Sequence, residues 1–248
     1  MLVIANGAPK SGSTWLFNIV QNLHTFSDVP EDYLLDRTNP NSEIVYERLE
    51  EFLANVDYGA NDYLLKNHFG KAHQRDALLG APDVLVINIK RELKDAVVSA
   101  YYYNMKLSGK KRTFDNYYWK EGRFLADQIR RYHRVWEEKP SSRVLLLSYE
   151  RLKQNTVSEI MGIARFLGLS CSEAEAQAVI DATSMEKLRD KYDDGGEIKF
   201  FRKGQVGDWE NHFSARQLAD IEMIEQCGLE NASIGRRALA KGLALAQR

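Results

Sequence analysis

The sequence predicts an α/β domain of the P-loop-like type, with three layers in which helices flank a central parallel sheet. Short apolar runs alternate along the chain with longer stretches of helical periodicity. The first apolar run, residues 2–5, leads directly into a glycine-containing turn and then into a helical stretch. This succession of strand, tight turn and helix is typical of parallel α/β folds.

Four apolar runs are short enough to be buried strands. They are rich in β-branched residues or leucine and occupy residues 2–5, 63–66, 84–89 and 144–148. Strands that are buried on both faces read as continuous apolar runs, so these four predict a parallel sheet. Ligands of open parallel sheets bind beyond the carboxyl ends of the strands. The residues that follow each run are therefore the first candidates for a functional site.

Helical periodicity fills most of the sequence between and after these strands. The predicted helices cover residues 13–23, 42–55, 71–79, 95–103, 124–138, 156–167, 172–182 and 215–226. Residues 107–118 and 192–213 lack periodicity and carry glycine beside charged residues, so both segments are predicted loops. The sequence has neither an internal repeat nor a linker-like stretch, which favours a single domain over residues 1–248.

The composition limits the class of protein. The chain of 248 residues has a formal net charge of -1, whereas a general nucleic-acid-binding domain would be distinctly basic. No apolar run approaches the roughly 20 residues that span a bilayer. Pro9, Lys10 and Gly12 interrupt the apolar N-terminus too early for a signal peptide. We therefore expect a cytoplasmic protein without nucleic-acid or membrane partners.

The sequence carries no pattern of metal ligands or disulfides. Cys171 and Cys227 are the two cysteines, and they are expected to be reduced thiols. His68 and His73 are five positions apart, so they would not share a helical face as a zinc pair does. No bound metal is expected.

The turn after the first strand predicts an anion site. It reads Ala8, Pro9, Lys10, Ser11, Gly12, Ser13, Thr14 and Trp15. Backbone N–H groups and the positive end of the helix dipole converge at such a turn on a phosphate-like group. The spacing of Gly7 and Gly12 imitates a Walker A loop, but the lysine lies inside the loop instead of after the second glycine. The alternative is an ordinary helix start with a surface lysine and a core tryptophan.

Two candidate sites follow the second and third strands. A histidine such as His68 can act as a general base, because its ordinary pKa of about 6.5 suits proton removal near neutrality. Arg91 closes the third strand and Ser99 follows it on a predicted helix, where the two can grip one phosphate together. The alternatives are a solvent-facing histidine, and a surface arginine before a helix that Asp95 caps.

A further candidate site lies late in the chain. Arg202 and Lys203 stand beside Gly204, so two cations and an approachable backbone amide occur together. The segment continues to Gly207, Asp208 and Trp209, which makes a random basic turn less attractive, although a solvated turn stays the alternative.

These segments resemble the motifs of PAPS-dependent sulfotransferases of the cytosolic type. The loop from Ala8 to Trp15 resembles the family's P-K-S-G-T-T-W loop, which binds the 5′-phosphosulfate. The residues Lys66-Asn67-His68 resemble the family's K-T-H element, whose histidine is the catalytic base.

The resemblance extends along nearly the whole chain, in the family's order. The segment from Arg91 to Ser99 resembles the family's R-x-P-x-D-x-x-x-S motif, which binds the 3′-phosphate. The segment from Arg202 to Trp209 is similar to the R-K-G-x-x-G-D-W motif. Tyr149, with the pair of residues 183–184, also matches weaker family positions near the adenine.

The resemblance implies transfer of a sulfonyl group from PAPS, with PAP as the product and no metal. The catalytic residues would be His68, Lys10 and Lys66. The donor-binding residues would be Lys10, Ser11, Gly12, Ser13, Thr14, Trp15, Arg91, Ser99, Tyr149, Thr183, Met185, Arg202, Lys203 and Gly204. The acceptor would be a small molecule or a glycan with a hydroxyl or an amine. The expected walls of the acceptor pocket are residues 26–36, 69, 101–105 and 107–118. The aromatic cluster around residues 101–119 either lines this pocket or belongs to the core.

Three departures from the family pattern are visible. Leu93 replaces the usual proline, and Met185 stands where an aromatic residue near the adenine is common. Residues 210–215 lack the K-x-x-x-T-V dimer pattern, so a monomer or a weak homodimer is expected.

Two other functions stay open on the sequence alone. A P-loop kinase of a small metabolite would need magnesium and a lysine after the second glycine, and turnover of PAPS without magnesium would exclude it. A non-catalytic PAP-binding protein would show no sulfonyl transfer to any of a broad panel of acceptors.

Overall fold

The central sheet is parallel, as predicted. In a computed structural model, which describes residues 1–38, 41–109, 111–192 and 204–232, the strands pair in the order β2-β1-β3-β4. Each strand begins at its predicted residue, which confirms the α/β class. The strands are β1 (Leu2–Gly7), β2 (Tyr63–Asn67), β3 (Val84–Lys90) and β4 (Val144–Ser148).

Helices fill the described chain around these strands. The α-helices are α1 (Ser13–Leu23), α2 (Leu49–Asn55), α3 (Ala72–Gly80), α4 (Leu93–Ser108), α5 (Phe114–Tyr117), α6 (Arg123–Glu137), α7 (Tyr149–Gln154), α8 (Thr156–Phe166), α9 (Glu173–Ala182), α10 (Met185–Tyr192) and α11 (Ala215–Cys227). Short 3₁₀ helices occupy Glu31–Tyr33, Tyr46–Arg48 and Asp208–Asn211, and a π-helical turn occupies Tyr118–Gly122. Among the described residues, no helix is both long enough and apolar enough to cross a bilayer.

The prediction of one helix over residues 42–55 is wrong in its first half. Ser42 has a φ of 51°, in the left-handed region, so a right-handed helix cannot pass through it. Ile44 instead forms an antiparallel bridge with Leu34, and α2 begins only at Leu49. Tertiary pairing of this segment overrides its helical periodicity.

Other boundaries differ from the sequence prediction in both directions. The predicted loop 107–118 contains the end of α4 and the whole of α5, where the Thr113 hydroxyl caps the helix by accepting from the Asn116 N–H. The helices α7 and α10 were not predicted, because each is shorter than the window over which helical periodicity is visible.

The described residues belong to two compact units. The first comprises Met1–Arg91 and Tyr132–Gly204 and contains the whole sheet, and the second comprises Glu92–Arg131 and the residues from Gln205 onward. The single domain over residues 1–248 stays a prediction.

The sheet has buried apolar side chains on both faces, and one core cluster lies on one of them. Val3, Ala5 and Ile87 point from the strands into a cluster with side chains of α1, α8 and α9. On the other face, the Asn6 side chain donates to Asn88 Oδ1, and the Phe69 carbonyl accepts from both Asn6 and the Trp136 indole of α6. Helices therefore approach the sheet from both faces, and the carboxyl ends of the strands are left to form the site.

The second unit is held by two buried carboxylates. The fully buried Asp220 of α11 accepts from Tyr118 Oη and from two nitrogens of Arg123, at 2.6–2.9 Å. Asp95 of α4 accepts from the backbone N–H groups of Gly207 and Trp209 at 2.8 and 3.1 Å. Charge-assisted hydrogen bonds of this kind are the strong ones in proteins, so they fix the turn at 207–209 on α4.

The aromatic cluster predicted around residues 101–119 lies in the second unit. Tyr117 and Tyr118 are fully buried there, and Phe114 packs against Tyr101 and Phe213 at centroid distances of 5.4 and 5.0 Å. These edge-on contacts belong to a packed core. Of the two interpretations of the cluster, core is the correct one for Tyr117 and Tyr118.

Candidate active site

The loop between β1 and α1 turns sharply at two residues with positive φ. Lys10 has a φ of 68° and Gly12 a φ of 96°. The N–H of Ser11 bonds to the Ala8 carbonyl at 3.1 Å, and the N–H of Leu16 bonds to the Gly12 carbonyl at 3.0 Å. A positive φ is uncommon for a residue with a side chain, so the fold holds Lys10 in a conformation that the local sequence disfavours.

Two glycines of this region allow close backbone contact. A Cβ on Gly7 would lie 2.8 Å from Ile89 Cγ2 and from the Ile89 carbonyl oxygen. A Cβ on Gly12 would lie 2.6 Å from the ring of Tyr149. The loop therefore packs directly against the ends of β3 and β4, and no larger residue fits at either position.

The start of α1 has the donors of an anion site. Within the described chain, no side chain caps its N-terminus, and the first N–H groups of a helix have no partner inside the helix. The hydroxyl of Ser11 is fully buried and has no hydrogen-bond partner among the described residues. These orphaned donors at the positive end of the helix dipole fit a phosphate or phosphosulfate group.

His68 is held at the end of β2 with a defined tautomer. Its Nδ1 lies 2.5 Å from the Gly7 carbonyl oxygen, and its backbone N–H donates to Tyr46 Oη at 3.2 Å. A carbonyl oxygen only accepts, so Nδ1 carries the proton and the neutral ring keeps the lone pair of Nε2. That nitrogen is the one that can take up a proton.

The surroundings of His68 keep its ring neutral. Burial lowers the pKa of His68 to about 4, and the positive charges of Lys66 and Lys10 act in the same direction. The hydrogen bond to the Gly7 carbonyl and the charge of Glu43 raise the pKa but do not outweigh burial. His68 is therefore in the base form throughout the neutral pH range.

Lys66 is a buried cation with a buried partner. Its ammonium pairs with Glu43 Oε1, and the two side chains are 6% and 12% exposed. A lysine is rarely this buried unless it is paired. Sequence reasoning missed Glu43, because it lies 23 positions before Lys66 in a segment that was predicted to be helical.

Arg91 and Tyr149 form one wall beside the loop. The Arg91 guanidinium carbon lies 4.4 Å from the centre of the Tyr149 ring, and Arg91 Nη1 lies 3.5 Å from the Lys10 carbonyl oxygen. Trp15 meets Tyr149 edge-on at 5.8 Å, and the Lys153 ammonium lies 5.1 Å from the centre of the Trp15 ring. The predicted donor-site residues Lys10, Trp15, Arg91 and Tyr149 are thus neighbours in space.

The start of α10 and Gly204 adjoin this wall. A Cβ on Gly204 would lie 2.4 Å from Met185 Cε and 3.5 Å from Tyr149 Oη, so these three predicted residues are close together. Thr183 is buried, and its hydroxyl donates to the Val179 carbonyl at 2.8 Å. That bond holds the Thr183 hydroxyl proton against the last turn of α9.

Five further predicted residues complete the set. Ser13 and Thr14 form the buried first turn of α1. Ser99 lies on α4 in the second unit. Arg202 and Lys203 lie outside the described residues. The roles of Ser99, Arg202 and Lys203 in binding a 3′-phosphate stay predictions.

Comparison with known proteins identifies sulfotransferases among both the related sequences and the similar structures. The family profile described as "Sulfotransferase domain" matches residues 2–235. The chain is 29% identical to human sulfotransferase 1E1 over 235 residues, which cover 86% of this chain and 78% of that protein. It is 31% identical to rat sulfotransferase 1A1 over 240 residues, which cover 84% and 78%. The crystal structure of a mouse sulfotransferase complexed with PAP shares the fold, with a TM-score of 0.68 at 20% identity, over 97% of this chain and 88% of that one.

The titration of His68 tests the electrostatics of the site. We expect His68 to stay neutral down to about pH 5, because its pKa is depressed to about 4. The unfolded chain takes up this proton near the ordinary pKa of about 6.5. The folded state therefore loses stability as the pH falls from about 6.5 to about 4. Histidine ring NMR measures the midpoint, with the signal assigned from the spectrum of His68→Gln. A midpoint near the ordinary value would contradict the expectation.

Substitution of Gly12 tests the packing of the loop on Tyr149. Gly168 has a comparable φ of 75°, but no described atom lies within 4 Å of a Cβ placed there, so Gly168→Ala is the matched control. A positive φ costs an alanine about 1 kcal/mol at either position. We expect the free energy of unfolding in urea to fall by at least about 1 kcal/mol more for Gly12→Ala than for Gly168→Ala, because the new methyl group also meets the tyrosine ring. Equal losses in the two variants would show that the loop does not pack on Tyr149 in this way.

Proposed function

The chain belongs to the sulfotransferase domain family, and from that premise we propose that it transfers the sulfonyl group of PAPS to a hydroxyl or amine of an acceptor. The observation that carries the proposal is the position of His68. Its Nδ1 proton is engaged by the Gly7 carbonyl, and its Nε2 keeps a lone pair beside the loop that follows β1. A neutral imidazole next to an anion-binding loop suits removal of a proton from an acceptor beside a bound donor.

The proposed reaction is an in-line displacement at sulfur. The acceptor oxygen or nitrogen forms the new bond to sulfur while the bond from sulfur to the 5′-phosphate oxygen breaks. The acceptor's proton passes to Nε2 of His68, and PAP leaves with the electron pair of the broken bond. His68 thus acts as a general base, a role that typically contributes about 100-fold to 10,000-fold in rate.

Positive charge at the loop would stabilise the leaving group. Negative charge builds on the bridging oxygen as the bond to sulfur breaks, so Lys10 and the N–H groups at the start of α1 act most strongly in the transition state. The Ser11 hydroxyl supplies one more buried donor. The Lys66 ammonium is proposed to contact the sulfonyl oxygens.

The rest of the donor site is proposed from the neighbours of Tyr149 and from the motif resemblance. Arg91 and the Gly204 amide are proposed to bind the 3′-phosphate, and the resemblance alone adds Ser99, Arg202 and Lys203. The proposed adenine site consists of Trp15, Tyr149, Thr183 and Met185. Support comes from the close packing of Gly204 on Met185 and Tyr149 and from the guanidinium of Arg91 over the tyrosine ring.

The acceptor is proposed only as a class. It is a small molecule or glycan that carries a hydroxyl or an amine, and nucleic acid is not an expected partner of a chain with a net charge of -1. A cytoplasmic location and a monomeric or weakly dimeric state belong to the same proposal, as does a reaction without a metal ion.

An acceptor screen tests the function as a whole. The full chain is incubated with radiolabelled PAPS and a panel of phenols, alcohols, amines and glycans, with and without added magnesium. We expect labelled product at equal rates under both conditions. Failure to label any acceptor, with PAP still bound tightly, would favour a non-catalytic PAP-binding protein.

His68→Ala tests the general base. We expect kcat to fall at least about 100-fold while the affinity for PAP is unchanged, because the imidazole is proposed to act on the acceptor's proton and not on the nucleotide. His73→Ala is the control, since His73 is an exposed histidine of α3. Turnover near the wild-type rate in the His68 variant would remove His68 from the mechanism.

Arg91→Ala tests the recognition of the 3′-phosphate. Isothermal titration with PAP and with 5′-AMP compares ligands that differ only in this group. Loss of one charge-assisted hydrogen bond should weaken PAP binding by about 10-fold or more and leave 5′-AMP binding nearly unchanged. Arg151→Ala is the control, because Arg151 is an exposed arginine that pairs with Glu159. Equal affinity of the wild-type protein for the two nucleotides would overturn the assignment.

A further inference from the structure

The segment 41–46 runs along the outer edge of β2 and is bonded to its last two residues and to His68, which follows it. The Lys66 N–H donates to the Asn41 carbonyl at 3.3 Å. The Asn67 side chain donates to the Ile44 carbonyl at 3.0 Å and accepts from the Ile44 N–H at 3.3 Å. With the bond from the His68 N–H to Tyr46 Oη, the segment is fixed against each residue of the Lys66-Asn67-His68 element.

The backbone of Glu43 is fixed from its other side as well. The Glu43 carbonyl accepts from the Leu35 N–H at 2.7 Å, and the Val45 N–H donates to the Tyr33 carbonyl at 2.9 Å. Ser42, immediately before Glu43, is held in the left-handed region with a φ of 51°. A strained residue of this kind persists only where its surroundings determine the backbone, so the direction of the Glu43 side chain is set by the fold.

The Glu43 carboxylate meets the Lys66 ammonium in a buried ion pair. With 6% and 12% of the two side chains exposed, water screens the pair little. A lysine side chain has four rotatable bonds and a compact charge, so without a partner its ammonium would take several positions. The pair restrains that charge at the carboxyl end of β2, two residues before His68.

The negative charge of Glu43 also offsets the effect of nearby lysines on the pKa of His68. The charged groups that act on the imidazole are Lys66, Lys10 and Glu43. Its Nδ1 donates to the Gly7 carbonyl, and Tyr46 Oη accepts from the backbone N–H of His68. The two lysines lower the pKa of His68, and Glu43 raises it. Removing the carboxylate would leave the imidazole facing cations alone.

We propose that Glu43 is a positioning residue for sulfonyl transfer, which acts through Lys66 by holding the ammonium beside His68. The inference rests on the proposed function. It assigns Glu43 no contact with donor or acceptor, so its effect should appear in turnover and not in nucleotide affinity.

Glu43→Gln in the full chain tests the inference, with Glu50→Gln, an exposed glutamate of α2, as the control. We expect kcat of Glu43→Gln to fall at least about 10-fold, because the ammonium is no longer fixed, while the dissociation constant of PAP changes less than about 3-fold. Glu43→Asp, which keeps the charge but shortens the reach, should fall between the wild type and Glu43→Gln. A kcat of Glu43→Gln within about twofold of the wild type would overturn the inference.

A double-mutant cycle separates action through Lys66 from a general structural effect. If Glu43 acts through Lys66, the double variant Glu43→Gln/Lys66→Met should be no slower than Lys66→Met alone. A further loss equal to that of the single Glu43→Gln variant would reject the inference. Should Glu43→Gln not fold, as judged by circular dichroism, the cycle with Glu43→Asp answers the same question.

Histidine NMR gives a readout that does not depend on turnover. Glu43→Gln should lower the protonated fraction of His68 at about pH 4.5, because the carboxylate raises the pKa of this imidazole. An unchanged titration would contradict the inference. If the wild-type protein labels no acceptor, the proposed function fails, and the titration still decides whether the Glu43 carboxylate acts on His68.

Discussion

The bond between His68 Nδ1 and the Gly7 carbonyl joins the ends of two neighbouring strands, and the geometry of the site depends on it. Parallel pairing of Asn6 with Asn67 brings Gly7, the last residue of β1, level with His68, which follows β2, so the imidazole can reach the carbonyl without distorting either strand. The same bond selects the tautomer in which Nδ1 is protonated, and it leaves Nε2 with the lone pair that can take up a proton. Strand register, an early consequence of the apolar pattern, thereby determines which nitrogen can take a proton.

The loop that follows β1 owes its shape to what packs around it. Gly12 is left-handed and touches the Tyr149 ring, while the Arg91 guanidinium lies over that ring. A larger residue at Gly12 would displace the tyrosine and the arginine with it. The N–H donors at the start of α1 and the cation at the end of β3 are therefore placed by one set of contacts, so the proposed phosphate site cannot be separated from the packing of the loop.

The sequence predicts the sheet well because strands buried on both faces are continuous apolar runs, a signal that needs no knowledge of distant residues. The segment around Ile44 is different: its periodicity is helical, yet the Asn67 side chain holds both polar groups of its backbone against β2. Motif spacing singled out Lys10, His68 and Arg91 as candidates, because each belongs to a motif that is local in sequence, and their proposed roles stay predictions. The ion pair of Glu43 with Lys66 could not be predicted, because Glu43 lies 23 positions before Lys66 and reaches it only when its own segment folds against β2.

The electrostatics of the first unit link the charge at the loop to the basicity of His68. In the free protein, burial and the charges of Lys66 and Lys10 depress the pKa of His68, so the imidazole is a weak base. An anion beside the loop adds negative charge next to the same two lysines, which raises the pKa of the imidazole and makes it a better proton acceptor. The Glu43 carboxylate also raises the pKa of His68 before any anion binds, and it does so from a fixed position. Under the proposed function, the imidazole would therefore be the stronger base when the donor is bound, which would favour proton removal at the moment when sulfur is available for attack.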